Sequence, residues 1–209
     1  MNSEYFVYKR GDIVSNPDSK HLDKLLVNIE RVVVAMVGSY ETMVSGLHLG
    51  PSEIMSYHAN DFYPQEALIA NRVTVPIKEI RRVEKHHTYH IVVPPSSSIT
   101  GLGVVDEVEL DDLVFQAGVR NHMSGVVTVG VVDRMSKYIN DDHPRDSFIK
   151  DTSESGSGVF TQDGRLVGMT LGMLSPDVMV AVSILSIVMR DRPLPKVQKP
   201  WFYPQDSEN

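Results

Sequence analysis

The chain has no cysteine. Disulfide staples and thiolate metal sites are therefore excluded. It also lacks a basic run, and its formal net charge is −7, so a nucleic-acid partner is a poor fit. No apolar run approaches the ~20 residues that a membrane-crossing helix needs. The first residues, Met1-Asn2-Ser3-Glu4-Tyr5-Phe6, lack the charged-then-apolar pattern of a secretory signal. These absences lead to the expectation of a cytoplasmic protein with no membrane association. A domain cut from a larger polyprotein would have the same profile.

What remains is ordinary globular material. Apolar residues make up 42% of the 209 positions, enough for a substantial core. The length suits one domain or two half-domains sharing a cleft. Residues 1–20 are polar and turn-rich. Leu22, Leu25, Leu26 and Ile29 then recur at helical spacing, with Asp18 or Ser19 available as a cap. From Val32 the pattern turns β-rich. Strands are expected at 32–37, 43–49, 53–57, 66–70, 73–77 and 90–93, punctuated by Gly38-Ser39 and Gly50-Pro51. Pro94-Pro95-Ser96-Ser97-Ser98 breaks this series and starts a linker. A hairpin follows at 114–118 and 124–132, and further strands at 166–171 and 178–182. Residues 183–189 read as a C-terminal helix. Residues 193–209 form a proline-rich polar tail, expected to be extended or disordered.

Two motif regions carry chemistry. The first is Ser153-Glu154-Ser155-Gly156-Ser157-Gly158-Val159-Phe160, followed by an Asp163-Gly164 turn and the strand Leu166-Val167-Gly168-Met169. Such a turn can hold one hydroxyl at its apex with backbone N–H groups beside it, which supplies a nucleophile and an oxyanion hole together. The second is Ser45-Gly46-Leu47-His48-Leu49-Gly50, then Ile54-Met55-Ser56-Tyr57-His58. It places a histidine at the end of a strand, where an imidazole can act as general base. The cluster His86-His87-Thr88-Tyr89-His90 has no further ligand group nearby. On a strand His87 would face away from the other two, so it reads as a solvated or packed cluster and no metal is expected.

The first region resembles the nucleophile segment of chymotrypsin-like serine proteases, Gly-Asp-Ser-Gly-Gly/Ser-Pro. Ser153 stands where that family has glycine. The second region resembles the family's strand–Gly-Pro turn–strand–His layout. Val114-Phe115-Gln116-Ala117-Gly118 and Ser124–Val132 resemble the opening of the second barrel in fungal and bacterial trypsin-like proteins. Phe148-Ile149-Lys150 resembles the strand that precedes the serine. The chain also resembles viral chymotrypsin-like proteases.

The resemblance implies an all-β fold of two antiparallel six-stranded barrels, with a short N-terminal helix and a C-terminal helix. Its parts are an N-terminal segment with the helix (1–31), the first barrel (32–95), a linker (96–112), the second barrel with its helix (113–192) and the tail (193–209). It implies a serine endopeptidase with Ser155 as nucleophile, His58 as general base and the N–H groups of Ser153 and Ser155 as oxyanion hole. Met169, Thr170 and Ala181 would wall the substrate pocket. No metal or organic cofactor is implied. The orienting acid stays open between Asp112, Asp106, Asp61 and none. The partner would be a peptide or protein substrate. Phe-Tyr-Pro-Gln occurs at 62–65 and again at 202–205, which makes the tail a candidate substrate, cleaved after Gln205. The rival reading is a catalytically silent protease-fold domain that binds peptides or partner proteins.

Overall fold

The computed structural model describes residues 4–15, 22–38, 43–50, 52–57, 64–69, 73–83, 88–94, 107–119, 126–136 and 155–185. The chain begins with a strand, β1 (Tyr5–Ser15), and then a helix, α1 (Asp23–Val32). Seven strands follow: β2 (Val33–Gly38), β3 (Met43–Gly50), β4 (Glu53–Ser56), β5 (Pro64–Ile69), β6 (Val73–Pro76), β7 (Glu79–Val83) and β8 (Thr88–Val92). The rest comprises β9 (Leu113–Ala117), β10 (Val126–Ser136), β11 (Gly158–Phe160), β12 (Leu166–Ser175) and β13 (Val178–Ser183). Among the described residues, no helix is long and apolar enough to cross a membrane.

The fold is all-β in the two-barrel layout that the sequence leads one to expect, but one barrel is a half-barrel of seven strands rather than six. The first is a seven-stranded sheet in the order β6-β5-β2-β3-β4-β8-β7. Its two edge strands, β6 and β7, are consecutive in the chain and separated only by Ile77 and Lys78. They are two halves of one bent segment, so the sheet curls round on itself. Pro76 offers no N–H at the bend, and the Lys78 N–H is taken up by the Val92 carbonyl at 2.8 Å. Strand β7 escapes the sequence reading because Glu79-Ile80-Arg81-Arg82-Val83 is mostly charged. Such composition suits an edge, where Arg81 pairs with Glu79 at 2.6 Å.

The second barrel is closed, in the order β1-β10-β9-β11-β12-β13. Its sixth strand is the N-terminal one, which corrects the reading of residues 1–31 as a separate segment. β1 pairs antiparallel with β10 from Tyr5↔Ser136 to Ser15↔Val126. On its other edge it pairs with β13, from Tyr5↔Val182 to Lys9↔Val178. Tyr5, Phe6, Val7 and Tyr8 are buried; the polar residues around this short apolar run disguise it. Phe148–Lys150, expected as a strand, lie outside the described residues. So do residues 186–189 of the expected C-terminal helix; Ser183 itself ends β13.

Three cores result. Alternate residues from all six strands of the closed barrel fill its interior: Phe6, Val132, Val114, Val159, Val167 and Ala181 stand for one strand each. Val34, Met36, Val44, Ile54 and Ile91 fill the first sheet. A larger core lies between the two sheets and takes in Leu25, Ile29 and Val32 of α1. The helix therefore forms as its apolar spacing predicts. Its N-cap is Leu22 with no side-chain cap, not Asp18 or Ser19. The Asn28 side-chain amide instead binds the Gly164 carbonyl, tying α1 to the turn between β11 and β12.

His48 is the odd residue of the first sheet. It sits in a cross-strand row with Ile54, Ile91 and Ile80. It is 1% exposed, and among the described residues neither ring nitrogen has a hydrogen-bond partner. Burial pulls its pKa down to about 4, because the charged ring would lose its hydration.

Two predictions follow from this core. Phe6→Ala is expected to destabilise the protein by ~3–5 kcal/mol in denaturant titration, whereas exposed Val27→Ala should stay within ~0.5 kcal/mol; equal effects would mean that β1 is not integral to the barrel. His48 is neutral in the fold but protonates in the unfolded chain below its ordinary value of 6.5. Its contribution is thus complete above that pH and declines as pH falls towards 4, by up to about 3 kcal/mol. Urea titrations at pH 7 and pH 4.5 should show a smaller loss for His48→Met than for the wild type; parallel losses would contradict the assignment.

Candidate active site

Ser155 opens a turn that is held from below by β12. The Gly156 N–H donates to the Thr170 carbonyl at 2.8 Å, and the Thr170 N–H donates to the Ser157 carbonyl at 2.9 Å. From there the chain runs into β11, whose Gly158 pairs with Ala117 of β9 and with Met169 of β12. The expected sequence of strand, Asp-Gly turn and strand is present: Gly164 has φ +89°, and Thr161 and Arg165 close the turn through the Thr161 N–H at 2.8 Å.

From above, the turn is pressed by the first sheet. Gly156 has φ +84°, a region that glycine occupies without strain. A Cβ there would collide with the Ser45 carbonyl of β3 and would lie 3.3 Å from the Tyr57 carbonyl. Glycine is thus required twice over, for its backbone angle and for the closeness of β3. A Cβ on Gly118 would similarly come within 2.7 Å of the Ser45 hydroxyl. That hydroxyl accepts the Val119 N–H at 2.9 Å, and the Ser45 carbonyl accepts the Ser56 hydroxyl at 2.9 Å. Small serines and bare glycines let two sheets meet here with their buried polar groups paired.

Ser155 itself is 1% exposed, and its hydroxyl donates to the Leu171 carbonyl at 3.1 Å. The reason lies in β12. Its register with β13 steps from Thr170↔Ala181 to Gly172↔Val180, so Leu171 is the extra residue of a bulge. A bulged residue falls out of the ladder, which leaves its carbonyl for the serine.

His58 and Ser153, the expected base and half of the oxyanion hole, lie outside the described residues, as do Asp61 and Asp106. Tyr57, the neighbour of His58, is buried and has its carbonyl beside Gly156. Asp112 is exposed and accepts the Glu109 N–H at 2.8 Å in the turn that starts β9. Strand rise of ~3.3 Å per residue puts it about 20 Å from Gly118, at the far end of β9 from the serine turn. Asp112 is therefore not the orienting acid. It belongs to the second barrel, which excludes its reading as part of an acid-bearing strand of the first.

Met169, Thr170 and Ala181 are all 0% exposed. As successive strand residues, Met169 and Thr170 face opposite ways. Met169 packs into the core between the sheets, while Ala181 lies in the barrel interior. The Thr170 hydroxyl is 2.9 Å from that of Tyr8, which donates in turn to Gln116 Oε1 at 2.6 Å. The three residues expected to wall one pocket are thus divided between two cores. Sequence reasoning missed the roles of Tyr8 and Ser45; Gly130 and Gly156, where a Cβ would strike them, are the local signal. His90 of β8 lies 3.4 Å from Glu53 of the neighbouring β4, and His86 and His87 are outside the described residues. Among the described residues, no group of three metal-ligating side chains converges.

No family model and no curated protein sequence matches the chain. Solved structures do. An inactive form of Rv3671c from Mycobacterium tuberculosis H37Rv, with a Ser343Ala mutation, superposes with TM-score 0.57 at 11% identity, over 89% of this chain and 97% of that one. A second inactive form, described as the Rv3671c protease, gives 0.56 at 11% identity, over 85% and 95%. A serine endoprotease from Yersinia pestis gives 0.59 at 14% identity, over 81% of this chain and 65% of the other. At such identities the likeness speaks for architecture alone. With a closed six-stranded barrel, a second curled sheet and a glycine-rich serine turn between them, the chain has the two-barrel chymotrypsin-like fold found in serine proteases.

Proposed function

We propose that the chain is a serine endopeptidase. Ser155 Oγ attacks the scissile carbonyl and passes its proton to His58. The N–H groups of Ser153 and Ser155 hold the oxyanion, and His58 returns the proton to the leaving amine. Water then repeats the sequence on the acyl-enzyme, releasing the acid and freeing Ser155. The observation that carries this reading is the seating of the serine turn. A Cβ on the residue after Ser155 would lie 3.3 Å from the carbonyl of the residue before His58, so two motifs almost a hundred positions apart come near each other. The edge of β12 is a second support. Among the described residues, β12 beyond Thr170 pairs only with β13. A peptide can add there as an extended strand, held by main-chain hydrogen bonds.

One observation favours the silent peptide-binding alternative. The Ser155 hydroxyl is buried and donates its proton to the Leu171 carbonyl, whereas an attacking serine gives that proton to its base. A fluorophosphonate probe separates the two readings. The endopeptidase reading expects covalent labelling of the wild type that Ser155→Ala and His58→Ala both abolish, together with a loss of kcat of about six decades in Ser155→Ala. Folded wild type that stays unlabelled at high probe concentration would leave the binding reading in its place.

A further inference from the structure

Strand β3 has two faces with different partners. Ser45, Leu47 and Leu49 face the second barrel. The Ser45 carbonyl lies against Gly156, and a Cβ on Gly158 would come within 3.0 Å of the Leu47 side chain. Leu47 and Leu49 belong to the core between the sheets. Val44, Gly46 and His48 alternate with them and face the interior of the first sheet. A change that shifts β3 at His48 thus acts on Ser45, three residues away on the same strand.

The cage around His48 is apolar. Ile54 and Ile91, in its cross-strand row, are 0% exposed, and Ile80 packs on the same cluster. One step beyond the Val33↔Leu47 pair stands Val32, the buried last residue of α1. Strands β2, β5 and β6 add Val34, Met36, Ala67 and Val75. Charged and titratable groups stand elsewhere among the described residues. Tyr89 and Arg82 pair with each other one row along on the same face. Lys78, before β7, and Glu30 and Arg31, at the end of α1, are exposed. Glu53, Glu79 and His90 each precede an isoleucine of the row and so face the opposite way. An imidazolium would find no counter-charge within this cage, and neither ring nitrogen has an acceptor among the described residues. The ring therefore stays neutral or leaves the cage for water.

We propose that His48 is an acid-operated latch on the serine turn: uptake of a proton by the imidazole parts β3 from β4, and the Ser45 carbonyl withdraws from Gly156 while the closed barrel stays folded. The closed barrel is spared because the polar side chains that meet in it, Tyr8, Gln116 and Thr170, take up no proton in acid. The turn is then held from β12 alone, through Gly156 and Ser157. The sign follows from burial, which lowers the His48 pKa from 6.5 to about 4. The latch is closed above the ordinary value and loosens as pH falls towards the lowered one. This concerns the seating of the turn rather than its chemistry, so it does not rest on the endopeptidase reading.

Hydrogen exchange of the full chain tests the latch, read by mass spectrometry at pH 7 and pH 4 and corrected for the intrinsic rate at each pH. In the wild type, peptides from β3 and from residues 155–160 should lose protection by about a hundredfold on acidification. Peptides from β1 and β10 should change far less. His48→Met, neutral at both pH values, should cancel most of the loss in β3 and the turn. If His48→Met does not fold, His48→Leu serves the same comparison. In the wild type alone, an NMR titration of the His48 ring should share its midpoint with the loss of protection in β3. A loss in β3 that survives in the folded variant overturns the proposal. So does a wild-type loss spread evenly over β1 and β10, and so does a His48 ring that titrates near its ordinary value while β3 stays protected.

Discussion

The contact on which the arrangement depends is the one between the Ser45 carbonyl and the bare Cα of Gly156. Two curved sheets meet face to face at about 10 Å when side chains separate them. Here the backbone of β3 lies directly against the serine turn, because neither Gly156 nor Gly118 presents a Cβ. Such closeness would strand polar groups unless each found a partner. The Val119 N–H, the Ser45 hydroxyl and carbonyl, and the Ser56 hydroxyl satisfy one another within 3 Å. The apolar core around this point, from Leu47 and Tyr57 to Ala117 and Leu171, excludes water, and so it makes pairing obligatory rather than optional.

Closure of the second barrel supplies the platform on the other side. A sheet with open edges could flex under the serine turn; a closed barrel has no edge to fray. β1 provides that closure by pairing on both sides, and its alternate side chains fill the interior. The same strand therefore stabilises the barrel and reaches Thr170, whose main chain holds the serine turn. Tyr8 shows both links. Its ring is core, and its hydroxyl is the last atom before the residue that holds the turn.

The sequence made the strands with alternating or continuous apolar residues legible, and with them the fold class. It made the serine turn legible as well, because Ser155-Gly156 followed by a strand and an Asp-Gly turn is a local pattern with a local cause. Elements whose identity depends on distant partners were not legible. β1 is an ordinary half-apolar stretch until β10 and β13 take its two edges. β7 is a charged segment until β8 pairs with it. The division of Met169 from Thr170 follows from strand alternation alone and was available in the sequence. The bond from Thr170 to Tyr8 spans 162 positions and was not. Asp112 misled for the opposite reason: its local spelling imitates an acid-bearing strand, but only the pairing of β9 with β10 and β11 tells which barrel it joins.

The hydrogen bond from Ser155 to Leu171 bears on how such a site would work. A neutral hydrogen bond contributes about 1 kcal/mol net, so turning the hydroxyl towards an imidazole is inexpensive in itself. The carbonyl left behind is the larger issue, since a buried unpaired acceptor costs more than the bond it loses. A strand-like peptide adding along the free edge of β12 would bring main-chain N–H groups to that edge, and one of them could replace the serine as donor to Leu171. On this argument substrate and nucleophile exchange a single acceptor. Under the proposed function, the bulge that places Leu171 out of the ladder would then link a peptide at β12 to release of the hydroxyl.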